Sequence, residues 1–331
     1  MKAYDRKIIY KRVTIIVVLT IILYSILLIC TRLPAGLVVE APRLIIYASI
    51  PTILAFILKG IRFNIIVRRF VREFKISLSK GIILRLASEV FSFIGVSYLG
   101  DELYRYYLLR SYGVDSPKAL LLSYLEAFEE TIVAFSFVFA GFILNYSSTM
   151  KNIYFQIGLV VSMLILIVNI MVLLNVSRVV NLIKFIIDKM SRIFSREIDD
   201  EVFLRWSREL PKYRDIIFSD KISILVTLLV SYLIGVSSGA SLYIILNSVG
   251  IDASLLTSIY MLYLVLTISA LPITIGGVGV SELYLYLLGI GLSSGFNLIY
   301  TVIFRISSYY IPFILILICF IYSIKEVFKA F

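Results

Sequence analysis

The chain of 331 residues contains no histidine, two cysteines and one tryptophan, and only 16% of its residues carry charge. Without histidine it lacks the commonest metal ligand and the usual proton shuttle near neutral pH, and a Ser-His-Asp triad is impossible. Cys30 and Cys319 stand alone near the ends of apolar segments, which excludes a metal-binding spacing and a disulfide framework. No metal and no cofactor is therefore expected. The one glycine-rich string is followed by no Lys-Ser/Thr and preceded by no strand, so it is not a nucleotide phosphate loop.

Apolar residues are what the chain has in excess, at 60% of the sequence and a mean hydropathy of +1.00. They gather in long runs, among them Val13 to Cys30, Ile153 to Leu174, Ile222 to Leu246 and Tyr309 to Ile324. Each approaches the roughly 20 residues needed to cross hydrocarbon. The runs lack the alternation and turn spacing of a closed barrel, and inside lipid every backbone amide must be paired, so the fold class is all-α polytopic membrane protein. A first span is expected from about Ile8 to Cys30. It follows Lys2, Arg6, Lys7, Lys11 and Arg12 and has no small-residue cleavage site behind it, which marks a retained span rather than a secretion signal.

The net charge of +11 is placed unevenly. Seven Lys/Arg fall between Lys59 and Lys80 and ten between Arg178 and Lys221, whereas Lys151 is the only basic residue near the turns at Tyr146 and Gly250. Such clustering follows the cytoplasmic side of membrane proteins and anionic head groups, and argues against nucleic acid as a partner. The chain is thus expected in the cell membrane, multi-pass, with both termini cytoplasmic.

One integral domain is expected over residues 1–331. After the first span come a loop with Pro34 and Pro42, a span from Leu44 to Leu58, a basic amphipathic stretch from Arg62 to Lys80, and an apolar segment from Ile82 to Tyr98 running into Gly100. Longer spans follow at Pro117 to Leu144 and Asn152 to Val176. The charged insert at about 177–221 has Val179, Ile183, Ile186, Ile187 and Met190 at helical spacing, which predicts helix lying along the cytoplasmic interface. Beyond it the pattern predicts Ile222 to Leu246, Ala253 to Leu271, Ser281 to Leu292 and a last span from Asn297 to Ile324.

If the basic segments share one side, the chain between Lys80 and Pro117 must leave that side and return. A ten-residue helix rises about 15 Å, half the hydrocarbon thickness, so two short pieces there imply a re-entrant hairpin. The same reasoning gives a second hairpin over Ala253 to Leu292. A shift of 180 residues places Glu102, Leu103, Tyr104 and Tyr106 on Glu282, Leu283, Tyr284 and Tyr286. Inverted repeats at about 40–144 and 222–325 are expected, each with a broken or re-entrant helical hairpin, as in alternating-access carriers.

The string Leu271-Pro-Ile-Thr-Ile-Gly-Gly-Val-Gly-Val-Ser-Glu282 should break a helix inside apolar surroundings, because Pro272 removes a donor and Gly276, Gly277 and Gly279 permit sharp turns. Such backbone either faces a watery cavity, with amides that favour anions, or marks a tight packing break. Charges at membrane depth pair, snorkel or line water, and they are Arg85, Glu89, Asp101, Glu102, Arg105, Arg110, Glu126, Glu129, Glu130, Glu282 and Arg305. Arg85 with Glu89 and Glu102 with Arg105 have pairing spacing. Arg305 has no carboxylate between Tyr300 and Ile318, so its partner is Glu282, an acid of the first half, or a ligand phosphate. Tyr309 and Tyr310 belong to a cluster that either lines a wet cavity or forms an interfacial belt.

Three strings, Arg85 to Arg105, Leu271 to Glu282 and Phe304-Arg-Ile-Ser-Ser-Tyr-Tyr-Ile-Pro312, together resemble the lysylphosphatidylglycerol synthase transmembrane region over nearly the whole chain. That family commonly carries Pro-Gly-Gly-x-Gly-x-x-Glu, an earlier Pro-Gly-x-x-Gly-Glu-x-x-Arg and a late Arg-x-x-x-Tyr-Tyr. The present chain departs at Ile275, where proline is usual, and in Gly95-Val-Ser-Tyr-Leu-Gly100, which lacks its proline. The resemblance implies a flippase-like carrier of an anionic phospholipid or a polyprenyl-linked glycolipid, able to act with an oligomeric or enzyme partner. No aminoacyl-transferase domain accompanies it, so a transporter is expected ahead of an enzyme. A transferase or hydrolase acting on lipid phosphate, or a non-catalytic subunit, is the alternative. The resemblance places substrate binding at Glu102, Arg105, Gly276, Gly277, Gly279, Glu282, Arg305 and Tyr309, with Arg85, Glu89, Asp101, Glu126, Glu130 and Pro272 in secondary positions.

Overall fold

The computed structural model describes residues 35–71, 76–94, 99–194, 200–271 and 277–329, all of them helical or in short connections. The expected first span, Ile8 to Cys30, together with Gly95 to Tyr98, Pro272 and Gly276, lies outside the described residues. The helices are α1 (Ala35–Phe70), α2 (Leu78–Ile94), α3 (Leu99–Ser111), α4 (Ser116–Leu144), α5 (Tyr146–Lys151), α6 (Ile153–Leu174), α7 (Val176–Phe194) and α8 (Asp200–Ser219). They continue with α9 (Lys221–Ser248), α10 (Leu255–Ser269), α11 (Val280–Leu292), α12 (Leu298–Arg305), a π turn (Ile306–Tyr310) and α13 (Ile311–Lys329).

Five of the described helical stretches are long and apolar enough to cross a membrane: Ala41–Phe70, Ser116–Leu144, Ile153–Leu174, Lys221–Ser248 and Leu298–Ser323. The protein is an all-α, multi-span membrane protein. Large side chains such as Ile167, Met171, Leu225, Leu229, Ile314 and Tyr322 stand exposed on these spans, as expected where lipid rather than water covers the surface.

Two expectations change at the start of the described chain. Pro42 lies inside α1 rather than in a loop, and the span read as ending at Leu58 continues to Phe70. The residues from Arg62 to Phe70 therefore belong to one long helix. Arg62 is fully buried instead of interfacial, because Phe63, Ile66 and Val67 keep the apolar face running past it into the core.

The core forms around α10, a helix buried on most of its surface. Gly141 of α4, Gly158 of α6 and Gly239 of α9 abut Tyr260, Leu264 and Ile259 of α10, with no room for a methyl group at any of the three. Small residues thus set the close approach of these helices, the usual device where hydrocarbon supplies no hydrophobic drive between helices. A second core beneath the insert joins α1, α3, α4, α7 and α8 through Leu108, Leu122, Val180 and Leu210.

The insert is two helices docked on the ends of the spans. Arg205 Nη2 donates to Asp115 Oδ1 at 2.6 Å, and Tyr213 donates to Asp115 Oδ2 at 3.3 Å, gripping the residue before α4. Arg214 Nη1 donates to the carbonyls of Leu173 and Leu174 at 3.2 Å, satisfying the C-terminal end of α6. Burial and Asp115 both raise the Tyr213 phenol above its ordinary value.

Candidate functional site

The charged side chains that sequence placed at membrane depth converge. Arg85, buried in α2, donates Nε to Glu126 Oε2 at 2.9 Å and Nη1 to Glu89 Oε1 at 2.8 Å, with Asp101 Oδ2 at 3.6 Å from Nη2. Arg105 Nη1 reaches the same Glu126 oxygen at 2.6 Å and Asp101 Oδ2 at 3.1 Å. Arg62 Nη2 donates to Glu130 Oε1 at 2.5 Å and Nη1 to Ser231 Oγ at 2.8 Å. Lys59 Nζ closes the set on Glu89 Oε1 at 3.0 Å. Buried charges persist when each cation has an anion, and across α1, α2, α3, α4 and α9 each does, while Arg62 Nε, Arg105 Nε and Glu126 Oε1 stay buried with no hydrogen-bond partner among the described residues.

A second, smaller set lies on α11 and α12. Arg305 Nε stands 3.2 Å from Glu282 Oε1, and its guanidinium carbon lies 3.7 Å from the centre of the Tyr309 ring. Glu282 Oε2 accepts from the Gly279 amide at 2.7 Å and from Ser281 Oγ at 2.9 Å. Gly277 and Gly279 adopt φ of 68° and 84°, conformations that a β-carbon opposes. They turn the chain into α11 so that the Gly279 amide at its N-cap meets the Glu282 carboxylate, which suits the positive end of a helix. The five-residue π turn after Arg305 re-aims the wall that carries Tyr309.

Both sets border one cavity of about 620 Å³. Lys59, Glu89, Asp101, Glu102 and Glu130 line it on one side and Glu282, Arg305 and Tyr309 on the other. Its wall also includes Thr52 and Phe56 of α1, Ala127 and Ala134 of α4, Ser162 and Ile165 of α6, and Ser231 and Ser238 of α9. These positions fall in the middle of four membrane-length helices, so the cavity occupies the central part of the bundle. Its polar groups are set among apolar ones such as Ile234, Leu262, Val265 and Phe304.

The sequence-derived residues separate into two groups. Glu89, Asp101, Glu102, Glu130, Glu282, Arg305 and Tyr309 border the cavity, whereas Arg85, Arg105 and Glu126 stand behind its wall, binding one another. Arg85 pairs with Glu89 at the expected i,i+4 spacing. Arg105 pairs with Asp101 and Glu126 rather than with Glu102, and Glu102 forms no hydrogen bond or ion pair with a described residue. Gly277 and Gly279 border the turn into α11, while Gly276 and Pro272 fall outside the described residues.

Sequence reasoning missed Lys59 and Arg62, which it counted with the basic residues of the cytoplasmic side. The signal was present: Arg62 is followed by Phe63, Ile65, Ile66 and Val67, an apolar face that does not end where the charges begin. Among the described residues, no group of three His, Cys, Asp or Glu side chains is placed to hold a metal ion.

Over residues 12–316 the sequence matches the family model described as the lysylphosphatidylglycerol synthase TM region. No curated protein and no solved structure matches the chain at a significant level.

Proposed function

The chain belongs to the lysylphosphatidylglycerol synthase TM region family, and from that premise we propose that it is a flippase or scramblase-like carrier of lipid head groups. The observation that carries this reading is the charged cavity among the middles of membrane-length helices. A head group crossing there keeps polar partners throughout, while its acyl or isoprenoid chains remain in lipid. Most of the cost of desolvating a charge in hydrocarbon is thereby avoided.

In this reading the lipid is an anionic phospholipid or a polyprenyl-linked glycolipid. Arg305 attracts the phosphate, and Glu282 with the Tyr309 ring holds the guanidinium in place. The amides of Gly276 and Gly277 contact phosphate or carbonyl oxygens, while that of Gly279 holds the Glu282 carboxylate in place. Glu102, which has no partner of its own among the described residues, accepts a cationic portion of the head group. Arg105 acts as a positioning residue, since Asp101 and Glu126 engage its guanidinium.

The carrier reading includes two inverted repeats, at about 40–144 and 222–325, within a single domain of residues 1–331. Two features support it. Both α3 and α11 are 13-residue helices with an acid in the first turn, Glu102 in one and Glu282 in the other. Each follows a helix of intermediate length, α2 with 17 residues and α10 with 15. Under this proposal α2–α3 and α10–α11 are re-entrant hairpins, and the α7–α8 insert and both termini face the cytoplasm of the cell.

The test is reconstitution of the full chain in liposomes with fluorescent phosphatidylglycerol or a polyprenyl-phosphate sugar, following transfer between leaflets. The expected result is transfer that falls on Arg305→Ala and Glu282→Ala. Transfer unchanged by both substitutions would remove the residue assignments. Chemical turnover of the lipid, detected by mass, would instead favour a transferase or hydrolase.

A further inference from the structure

The cavity has a second polar feature on the wall between α6 and α10, apart from its charges. Hydroxyls inside apolar helices ordinarily donate to the carbonyl one turn back. Thr131 does so to Ala127, Ser231 to Thr227, Ser269 to Val265, Ser281 to Gly277 and Thr301 to Leu298, all cavity-lining side chains. Ser92, Ser238 and Ser308 do not, and neither do the two most buried of the five, Ser162 and Thr267. They are 3% and 7% exposed, both line the cavity, and neither has a hydrogen-bond partner among the described residues.

Contacts along the helices bring these two hydroxyls to the same level. Phe155 of α6 packs on Tyr260 of α10, with ring centres 5.5 Å apart, and one turn further Gly158 abuts Leu264. The two helices therefore run parallel along a dry seam, and the next turn of each carries Ser162 and Thr267. On the other side of α10, Gly141 abuts Tyr260 and Phe137 stacks on Tyr263 at 5.5 Å, so α4 runs antiparallel to it. That register puts Ala134 of α4 level with Thr267 and Glu130 one turn beyond, a separation of about 5 Å.

Ser162 and Thr267 both open onto the cavity, where a bound group can take the hydrogen bonds that the helix backbone does not. We propose that Ser162 and Thr267 form a subsite for the uncharged, hydroxyl-bearing portion of the head group, a glycerol or sugar, about one helical turn from the level of Glu130. A hydroxyl both donates and accepts, so it matches a polyol better than a phosphate or an ammonium, which offer only one of the two. The proposal rests on the lipid-carrier reading, and narrows the head group to one that carries hydroxyls beside its phosphate.

The test uses the full chain in detergent and two lipids of identical acyl chains, phosphatidylglycerol and phosphatidylpropanol, the second lacking the head-group hydroxyls. Relative affinity is read from the populations of lipid-bound protein in native mass spectra. The wild-type protein should prefer phosphatidylglycerol by roughly tenfold, about what two hydrogen bonds supply. In Ser162→Ala/Thr267→Val, which conserves shape, that preference should vanish while affinity for phosphatidylpropanol is retained. Equal affinity of the wild-type protein for the two lipids, or a preference that survives the double substitution, would overturn the subsite. Failure of either lipid to bind overturns it as well, whereas discrimination with no transfer in liposomes counts against the carrier reading alone.

Discussion

Arg85 donates from Nε to Glu126 Oε2 at 2.9 Å, joining α2 to α4 at a point where both side chains are 1% exposed. The same oxygen receives Arg105 and lies 3.6 Å from Arg62 Nη2, so a single carboxylate faces three guanidinium groups in the interior.

The first prediction concerns that shared oxygen. Glu126→Ala leaves three buried arginines without their common anion, and breaking a buried pair in this way costs about 3–5 kcal/mol. Thermal unfolding in detergent should show a large loss of stability, larger than for Glu102→Ala, whose side chain supports no partner. A Glu126→Ala protein as stable as the wild type would mean that Asp101, Glu89 and Glu130 carry the arginines unaided.

Arg305 is predicted to resist replacement by lysine. Its planar group both stacks over Tyr309 and meets Glu282, and a lysine ammonium retains the charge but not the fork or the stacking plane. Lipid transfer in liposomes should fall at least about tenfold in Arg305→Ala, equivalent to ~1.4 kcal/mol, and Arg305→Lys should recover only part of it. Full recovery by lysine would reduce the role of Arg305 to a point charge.

Much of this site was legible before any coordinates, for physical reasons that also explain the gaps. A carboxylate or guanidinium inside an apolar run must have a partner, so Arg85, Glu89, Glu126, Glu282 and Arg305 declared themselves by position alone. The i,i+4 pairing of Arg85 with Glu89 followed from helix geometry. Partners drawn from different helices did not, since nothing local says that Arg105 will choose Glu126, 21 residues away, over its near neighbour Glu102. Lys59 and Arg62 were hidden because basic residues after a span usually mark its end, and only the apolar face continuing to Val67 signals otherwise. Ser162 carried no signal, because a serine in an apolar helix is ordinary until its neighbours are known.

Gly279 offers a test of backbone geometry separate from packing. Its φ is 84°, yet a methyl group there would touch nothing within 4 Å. With ψ at −45° the residue lies outside the left-handed helical well, so Gly279→Ala should cost about 1–3 kcal/mol through backbone strain alone, and Gly279→Asn, whose tolerance is for that well, should cost about as much. A Gly279→Ala protein as stable as the wild type in thermal unfolding, or an Asn variant that recovers the loss, would place the cause elsewhere than in the backbone conformation.

The sole tryptophan reports on the insert. Trp206 packs on Phe203 and Tyr106, one residue from Arg205, which grips Asp115. Asp115→Ala removes the acceptor of both Arg205 and Tyr213, so α8 should loosen from the start of α4 and Trp206 emission should move to longer wavelength. Unchanged emission would show that apolar contacts such as those of Leu210 hold α8 without the polar grip.

The last prediction is a pH dependence outside the spans. Asp220, just before α9, accepts from Arg69 at the end of α1 and from Ser223, and the Arg69 hydrogen bond is the main cause holding its carboxyl below the ordinary value. A carboxylate whose folded value lies below its unfolded one contributes stability that is fully present above the unfolded value, near 3.9, and is lost as pH falls through the folded value. The difference in unfolding midpoint between wild type and Asp220→Asn should then be constant from pH 7 to about 5 and shrink as the solution becomes more acidic. Arg69 is largely exposed, so added salt should also diminish the difference by screening. A gap that widens toward acid pH would contradict the sign of the linkage. A gap indifferent to salt would assign the stability to the hydrogen bonds Asp220 makes as the cap of α9 instead of to its ion pair with Arg69.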